Sequence, residues 1–394
     1  MGETKLFNSR FIFVLLYNAV TSIAYYIVTP ILTRYVTSIG IELALAGTIA
    51  GAISITALVI RPFSGVIADN LNKKYVMIGA TVLMGIALIG LGSVSTVPML
   101  FFFRIMQGVG FALNGTCVYS MASQYMPKDK IGEGTGYIGL GTIISSSLGP
   151  TIGLELANRF RYQTSIILAG IIALIAAGAM LLFRYKPEQS ENAAKRKLSD
   201  IHLNNLFAKE LVVLALFAAA FSFSNGLVAN FLSNICEEKS ITGYSVYFTI
   251  NALVMLASRP FAGKLTDKKG LKFVLIPSFI FAILAVMLIG WTSSLAVICA
   301  AAAFKALGQG TGQPAIQAEC LKRLGPGRSG VATSTFYIGA DFANGIAPAI
   351  GGVIASSFGY SMMFYISGII LLVALAGFVA MTFTQNGKAG NAIV

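Results

Sequence analysis

The sequence predicts an all-α membrane protein with twelve transmembrane helices, arranged as two pseudo-symmetric six-helix bundles. Three observations predict it: a shortage of charge, long apolar runs parted by short polar loops, and a motif that recurs after 198 residues. The shortage of charge comes first. Of 394 residues, 56% are hydrophobic and 11% charged, whereas a soluble domain carries roughly 25% charged residues to meet water. Mean hydropathy is +0.79. Lipid must therefore be the solvent for most of the surface.

The apolar runs come next. A helix needs about 20 apolar residues to cross roughly 30 Å of hydrocarbon. On that measure the spans are 11–35, 43–68, 74–94, 98–122, 131–157, 163–183, 210–232, 243–266, 272–291, 295–320, 328–355 and 361–383. The first run is too long for the apolar core of a signal peptide and lacks a small-residue cleavage site, so it reads as a span. Between the spans, Lys5, Arg10, Lys73, Lys74, Lys128, Lys130, Lys264, Lys268, Lys269, Lys272, Lys322, Arg323, Arg328 and Lys388 fall on alternate loops. The opposite loops hold only Arg34, Arg159, Arg161 and Lys239. That bias predicts a multi-pass protein of the plasma membrane with both termini in the cytoplasm. It also accounts for the net charge of +13 without nucleic acid as a partner, since no basic–aromatic cluster is present.

Several chemistries are not expected. Of Cys117, Cys236, Cys299 and Cys320, only Cys236 falls in an outward loop, which leaves no pair there for a disulfide. His202, in the central loop, is the one histidine, so no His/Cys cluster offers a metal site. No Walker loop or catalytic constellation is found. The expectation is a protein that is not an enzyme, with no catalytic residues, no metal and no cofactor.

The third observation divides the chain. The polar stretch 184–209 carries Arg184, Lys186, Lys195, Arg196, Lys197 and Lys209. It reads as a cytoplasmic linker between an N-terminal bundle, 1–183, and a C-terminal bundle, 210–394. Arg61-Pro62-Phe63-Ser64-Gly65 followed by Asp69 recurs as Arg259-Pro260-Phe261-Ala262-Gly263 followed by Asp267. At the same offset, Gly141, Ser145, Gly149 and Gly153 of span five match Gly339, Ala343, Ala347 and Gly351 of span eleven, with Pro150 matching Pro348. Internal duplication of this kind marks many transporter folds, whose substrate site lies between the halves near the midplane. Small residues four apart let another helix approach closely, as halves that slide or rock require.

At these residues the sequence resembles the major facilitator superfamily. Gly65, Asp69, Lys73 and Lys74 match that superfamily's loop G-x-L-x-D-R-x-G-R-K between helices two and three, with Asn70 and Asn72 in place of its Arg and Gly. Gly263, Asp267, Lys268, Gly270 and Lys272 resemble the partner loop between helices eight and nine. Arg104, Gln107, Gly108 and Gly110 resemble the motif R-x-x-Q-G-x-G, whose Arg is linked to proton coupling in relatives. Gly149-Pro150 and Gly153 resemble the helix-five motif of drug–proton antiporters, although Ser145 and Leu154 depart from its outer glycines. The resemblance covers essentially the whole chain. It implies a cavity lined by helices 1, 4, 7 and 10, the proton as coupling ion, the lipid bilayer and a small-molecule substrate as partners, and function as a monomer.

Candidate residues follow. Asp341 lies near the middle of span eleven, where an acid costs roughly 2.5–3.5 kcal/mol, so it should face a cavity or a partner. The equivalent residue of span five is Ile143, so the acid is not packing shared by both halves. Asp341 is the candidate proton carrier; a structural acid bonded to Asn344 is the alternative. Lys305 of span ten lies at similar depth and is a candidate partner, or else snorkels outward. Arg104 completes the coupling set, with an outer ion pair to Glu155 as its alternative. Asn18, Thr21, Tyr25, Asn114, Asn225, Gln309, Gln313 and Asn344 are candidate substrate contacts, because polar faces are costly toward lipid; each is equally suited to a helix–helix hydrogen bond. Gly65, Asp69, Lys74, Gly263, Asp267, Gly149 and Pro150 are assigned to gating. An Asp facing a helix N-terminus can latch one conformation by charge–dipole attraction, against which stands simple solvation of a polar turn.

Together these features predict a proton-coupled secondary transporter that exports small amphipathic compounds by alternating access. Span one has no central acid, which favours a specific metabolite or metallophore exporter as the alternative. A proton symporter importing a nutrient, and a non-transporting membrane sensor or scaffold, complete the field.

Overall fold

A computed structural model describes residues 6–185, 207–291 and 293–390. Most of the linker, 186–206 with His202, lies outside the described residues. In hydrocarbon every backbone N–H and C=O must bond within its own segment, and the α-helix is the single-strand solution. The described chain accordingly runs as long helices: α1 (Ser9–Val28), α2 (Leu32–Ser38), α3 (Leu43–Asn70), α4 (Lys73–Ser93), α5 (Val97–Gln124), α6 (Ile131–Arg159), α7 (Tyr162–Leu182), α8 (Val212–Glu238), α9 (Val246–Lys269), α10 (Lys272–Trp291), α11 (Leu295–Leu324) and α12 (Ser329–Gly390). Among the described residues, nine segments are long and apolar enough to cross a membrane, the last covering spans eleven and twelve together. The more polar α6 and α9 supply the remaining two.

Two boundaries differ from the sequence reading, each for a local reason. Span one breaks between α1 and α2 at Thr29, Pro30 and Ile31, because proline there has no N–H to continue the ladder. Spans eleven and twelve run together as α12, turned at Gly359 with φ 82° and ψ 163°. That conformation is open to glycine and strained for other residues.

The described residues fall into two compact units. One gathers residues from 1–128, 137–209 and 321–335; the other gathers 129–136, 210–320 and 336–394. The first turns of α6 thus group with the C-terminal helices, and the first turns of α12 with the N-terminal ones.

In the first unit, Ile27, Ile31, Leu32, Tyr35, Leu88, Leu91, Leu100 and Ile166 form a fully buried cluster joining α1, α2, α4, α5 and α7. The Tyr35 hydroxyl donates to the Val94 carbonyl at 2.6 Å, closing that cluster with its polar end satisfied. The small-residue stripe of α6 seats on α1: a Cβ at Gly149 would lie 2.5 Å from Tyr26 Cβ, and one at Gly153 would strike the Ile27 carbonyl. The matching stripe of α12 seats on α8 in the second unit, Gly339 against the Ala215 carbonyl and Gly351 against Leu227. Close approach therefore serves packing inside each unit. Ile175, Leu182, Phe261 and Val373 are exposed, as lipid-facing side chains are.

Candidate functional site

Two sets of polar contacts repeat between the halves of the chain. The Asp69 carboxylate accepts the N–H groups of Gly330 at 2.6 Å and Val331 at 2.9 Å. The Asp267 carboxylate accepts those of Gly132 and Glu133, both at 2.8 Å. These N–H groups open α12 and α6, where four backbone donors have no intrahelical acceptor and the helix dipole is positive. The Arg61 guanidinium donates to the Ala112 carbonyl at 3.1 Å, and Arg259 to the Gly310 carbonyl, also at 3.1 Å. The Arg contacts map onto each other by adding 198 to both residues, and the latches by exchanging halves: 69 + 198 is 267, and 330 − 198 is 132. The duplication read from the sequence extends to its hydrogen bonds.

Glycines leave room for these latches. A side chain on Gly65 would strike Ser334, and a Cβ on Gly263 would sit 2.6 Å from the Gly132 carbonyl. Lys264 adds a 3.4 Å ion pair to Glu133 at the second latch. Lys74 donates to the Leu181 carbonyl at 2.9 Å and so caps the end of α7.

In the first unit, most of the expected substrate contacts join one buried network. Asn114 on α5 accepts from Tyr17 at 3.2 Å and Thr81 at 3.3 Å, and donates to Thr21 at 3.4 Å. The Tyr17 hydroxyl also lies 2.5 Å from Thr81. Asn18 donates to the Ile138 carbonyl and to Thr142, each at 3.2 Å. Asn18, Thr21 and Asn114 are all buried. These bonds tie α1, α4, α5 and α6 together. Tyr25 stacks on Phe111, with ring centroids 4.8 Å apart.

Arg104 is also buried, 4% exposed. Its guanidinium donates to Gln107 Oε1 at 2.6 Å and to the Ala50 carbonyl at 3.0 Å. Glu155 does not reach it; that carboxylate pairs with Arg159 at 2.7 Å on the surface.

In the second unit, Lys305, Gln309 and Gln313 follow one another at four-residue spacing along one face of α11. Gln309 donates to Gln313 at 3.3 Å, and Gln313 to Ser222 of α8 at 2.6 Å. Asn225, three residues after Ser222, approaches Asn344 of α12 at 3.5 Å. Asp341 lies three residues before Asn344 and is half-buried. Among the described residues Lys305 forms no hydrogen bond or ion pair, with Asp341 or any other group. A separate cavity of about 490 Å³ is lined by Asn8, Ser9, Arg10, Gln124, Tyr125, Met126 and Pro127; no expected site residue borders it.

Sequence reasoning passed over Tyr17, Thr81 and Ser222, each of which bonds a residue it singled out. One signal was available: Gly110 of α5 recurs as Gly308 of α11 at the offset of 198. Both glycines meet a neighbouring helix, Gly110 against the Ala80 carbonyl and Gly308 against Ser278 and Ala282.

Comparison with known proteins bears on the whole chain. The family model of the Major Facilitator Superfamily matches residues 14–233 and 214–391. The multi-drug resistance efflux pump PmrA of Streptococcus pneumoniae serotype 4 is 27% identical over 372 residues, covering 88% of this chain and 90% of its own. The multidrug resistance protein MdtG of Dickeya zeae is 22% identical over 371 residues, covering 90% and 89%. Among solved structures, the human organic anion transporter MFSD10 superposes with a TM-score of 0.76 at 16% identity, covering 93% of this chain and 98% of its own. FucP in the outward conformation gives 0.76 at 14%, covering 94% and 98%. These matched proteins are transporters rather than enzymes, and the two structures share the all-helical fold described above. The chain is a multi-pass membrane transporter that belongs to the major facilitator superfamily.

Proposed function

We propose that this transporter exports small amphipathic compounds from the cell in exchange for protons, by alternating access. The observation that carries the export direction is the similarity to PmrA and MdtG, both named for drug resistance, over about nine-tenths of the chain. Asp341 supports the proton step. It is an acid within a membrane-spanning helix, half-buried, on a helix whose duplicate bears Ile143. Protonation of Asp341 from outside favours release of the cargo there; loss of that proton inside resets the carrier. Lys305 and Arg104 are the cations of the coupling set, and Gln309, Gln313, Asn225 and Asn344 offer the cargo hydrogen bonds. The positive-inside bias supports cytoplasmic termini for this plasma-membrane protein, and the carrier works as a monomer.

On this reading Asp69 and Asp267 latch the cytoplasmic ends, each holding the N-terminus of a helix that crosses to the other bundle of the sequence. The test is accumulation of amphipathic fluorescent dyes in energised cells. Cells with the wild type should accumulate less dye than cells with an empty vector, and collapse of the proton gradient should abolish the difference. Greater dye uptake driven by the gradient would instead mark a symporter.

A further inference from the structure

Arg104 stands out among the buried charges. It is 4% exposed and its neighbour Gln107 is 0% exposed. The guanidinium gives one bond to Gln107 Oε1 and one to the Ala50 carbonyl. Arg104 Nε and Gln107 Nε2 are both buried with no acceptor among the described residues. No carboxylate among those residues pairs with Arg104 either.

Such an arrangement is costly. A buried donor without an acceptor costs about 1–3 kcal/mol, and an unpaired buried charge costs several more. Two stranded donors and a positive charge, all within one helical turn of α5, lack the same thing: a negatively charged acceptor. Gly51 adjoins Ala50 on α3, Gly47 lies one turn away, and a Cβ on either glycine would meet nothing within 4 Å.

We propose that Arg104 and Gln107 form a binding site for a small monovalent anionic group, which takes the unused donors and neutralises the guanidinium. Gln107 Oε1 and the Ala50 carbonyl orient the cation; Arg104 Nε and Gln107 Nε2 bind the anion. The group is either an inorganic halide or the carboxylate of an organic cargo. The site requires neither a transport direction nor Asp341, so it stands or falls separately from the export reading.

The test uses the full-length protein in lipid nanodiscs, with thermal unfolding followed by a thiol-reactive dye that reports exposure of the buried Cys117 and Cys320. Sodium chloride and sodium acetate are titrated against the bulky isethionate anion at fixed ionic strength. The wild type should show a saturable rise in Tm with at least one of the two anions. In Gln107→Leu and in Arg104→Gln the apparent Kd should rise by about tenfold or more, equivalent to ~1.4 kcal/mol. Saturation by chloride alone assigns the site to an inorganic counter-ion, whereas saturation by acetate assigns it to a carboxylate. If Arg104→Gln does not fold, Gln107→Leu carries the comparison. A wild type without a saturable response, or a Gln107→Leu variant that responds as the wild type does, overturns the proposal.

Discussion

Asp69 and Asp267 each bind two backbone N–H groups at the start of a long helix. A carboxylate in that position gains both charge-assisted hydrogen bonds and the attraction of the helix dipole. Asp69→Asn removes the charge and one of the two acceptor oxygens while keeping the shape. Amides of Gly330 and Val331 should then exchange with deuterium about tenfold faster, for a loss of ~1.4 kcal/mol. Gly132 and Glu133 should exchange unchanged, and Asp267→Asn should give the reverse pattern. Equal protection in both variants would show that the carboxylates do not hold these helix starts. The network around Asn114 yields a second prediction at this scale. Tyr17→Phe removes one hydroxyl and should cost about 1 kcal/mol, whereas Asn114→Leu removes the bonds to Tyr17, Thr81 and Thr21 together and should cost roughly 1–3 kcal/mol. Thermal unfolding in one detergent ranks them, and a larger loss for Tyr17→Phe would refute the network. Asn18, Thr21 and Asn114 were legible in the sequence as polar residues at helical spacing. Spacing fixes the face of a helix but not the neighbour that meets it, so their partners were not.

Helix packing makes a sharper statement than any single bond. The glycines of α6 lie against the backbone of α1, Gly149 beside Tyr26 and Gly153 beside Ile27. Larger side chains there force the helices apart, and overpacking typically costs about 1–3 kcal/mol. Gly149→Val should therefore lower the yield of folded protein and its Tm. Gly178 of α7 provides the control, since a Cβ there meets nothing within 4 Å. Gly178→Ala should leave stability unchanged or raise it by about 0.5–1 kcal/mol through helix propensity. Equal losses for the two would contradict the assignment of the stripe to α1. The helices themselves were readable because apolar length and period leave few alternatives. The breaks were less so: Pro30 splits span one, yet Pro62, Pro150, Pro260, Pro277, Pro314 and Pro348 all lie inside helices. Neighbouring helices decide whether a proline interrupts a membrane helix, and one segment's sequence does not contain them. Gly359 likewise sits among helix formers, and only its positive φ marks the turn.

At the scale of the whole molecule, duplication organises what the parts do. The latches and the Arg61 and Arg259 contacts are shared by both halves, which suits symmetric machinery that holds and releases helix ends. Asp341, Lys305 and Arg104 are not duplicated residue for residue, and asymmetric groups are what coupling to a proton and a cargo requires. The repeat was legible in the sequence because its motifs sit at one offset. The surroundings of Asp341 were not, because depth along a helix is readable while rotation toward a neighbour is not. The central claim is that cargo leaves against protons through Asp341. Everted membrane vesicles with an imposed pH gradient and a fluorescent proton reporter test it most directly, with a panel of amphipathic compounds added to wild type and to Asp341→Asn. The account predicts cargo-evoked proton release in the wild type that is lost in the variant, while the variant still inserts and unfolds at a similar temperature. Cargo-evoked proton release of equal size in Asp341→Asn would contradict it.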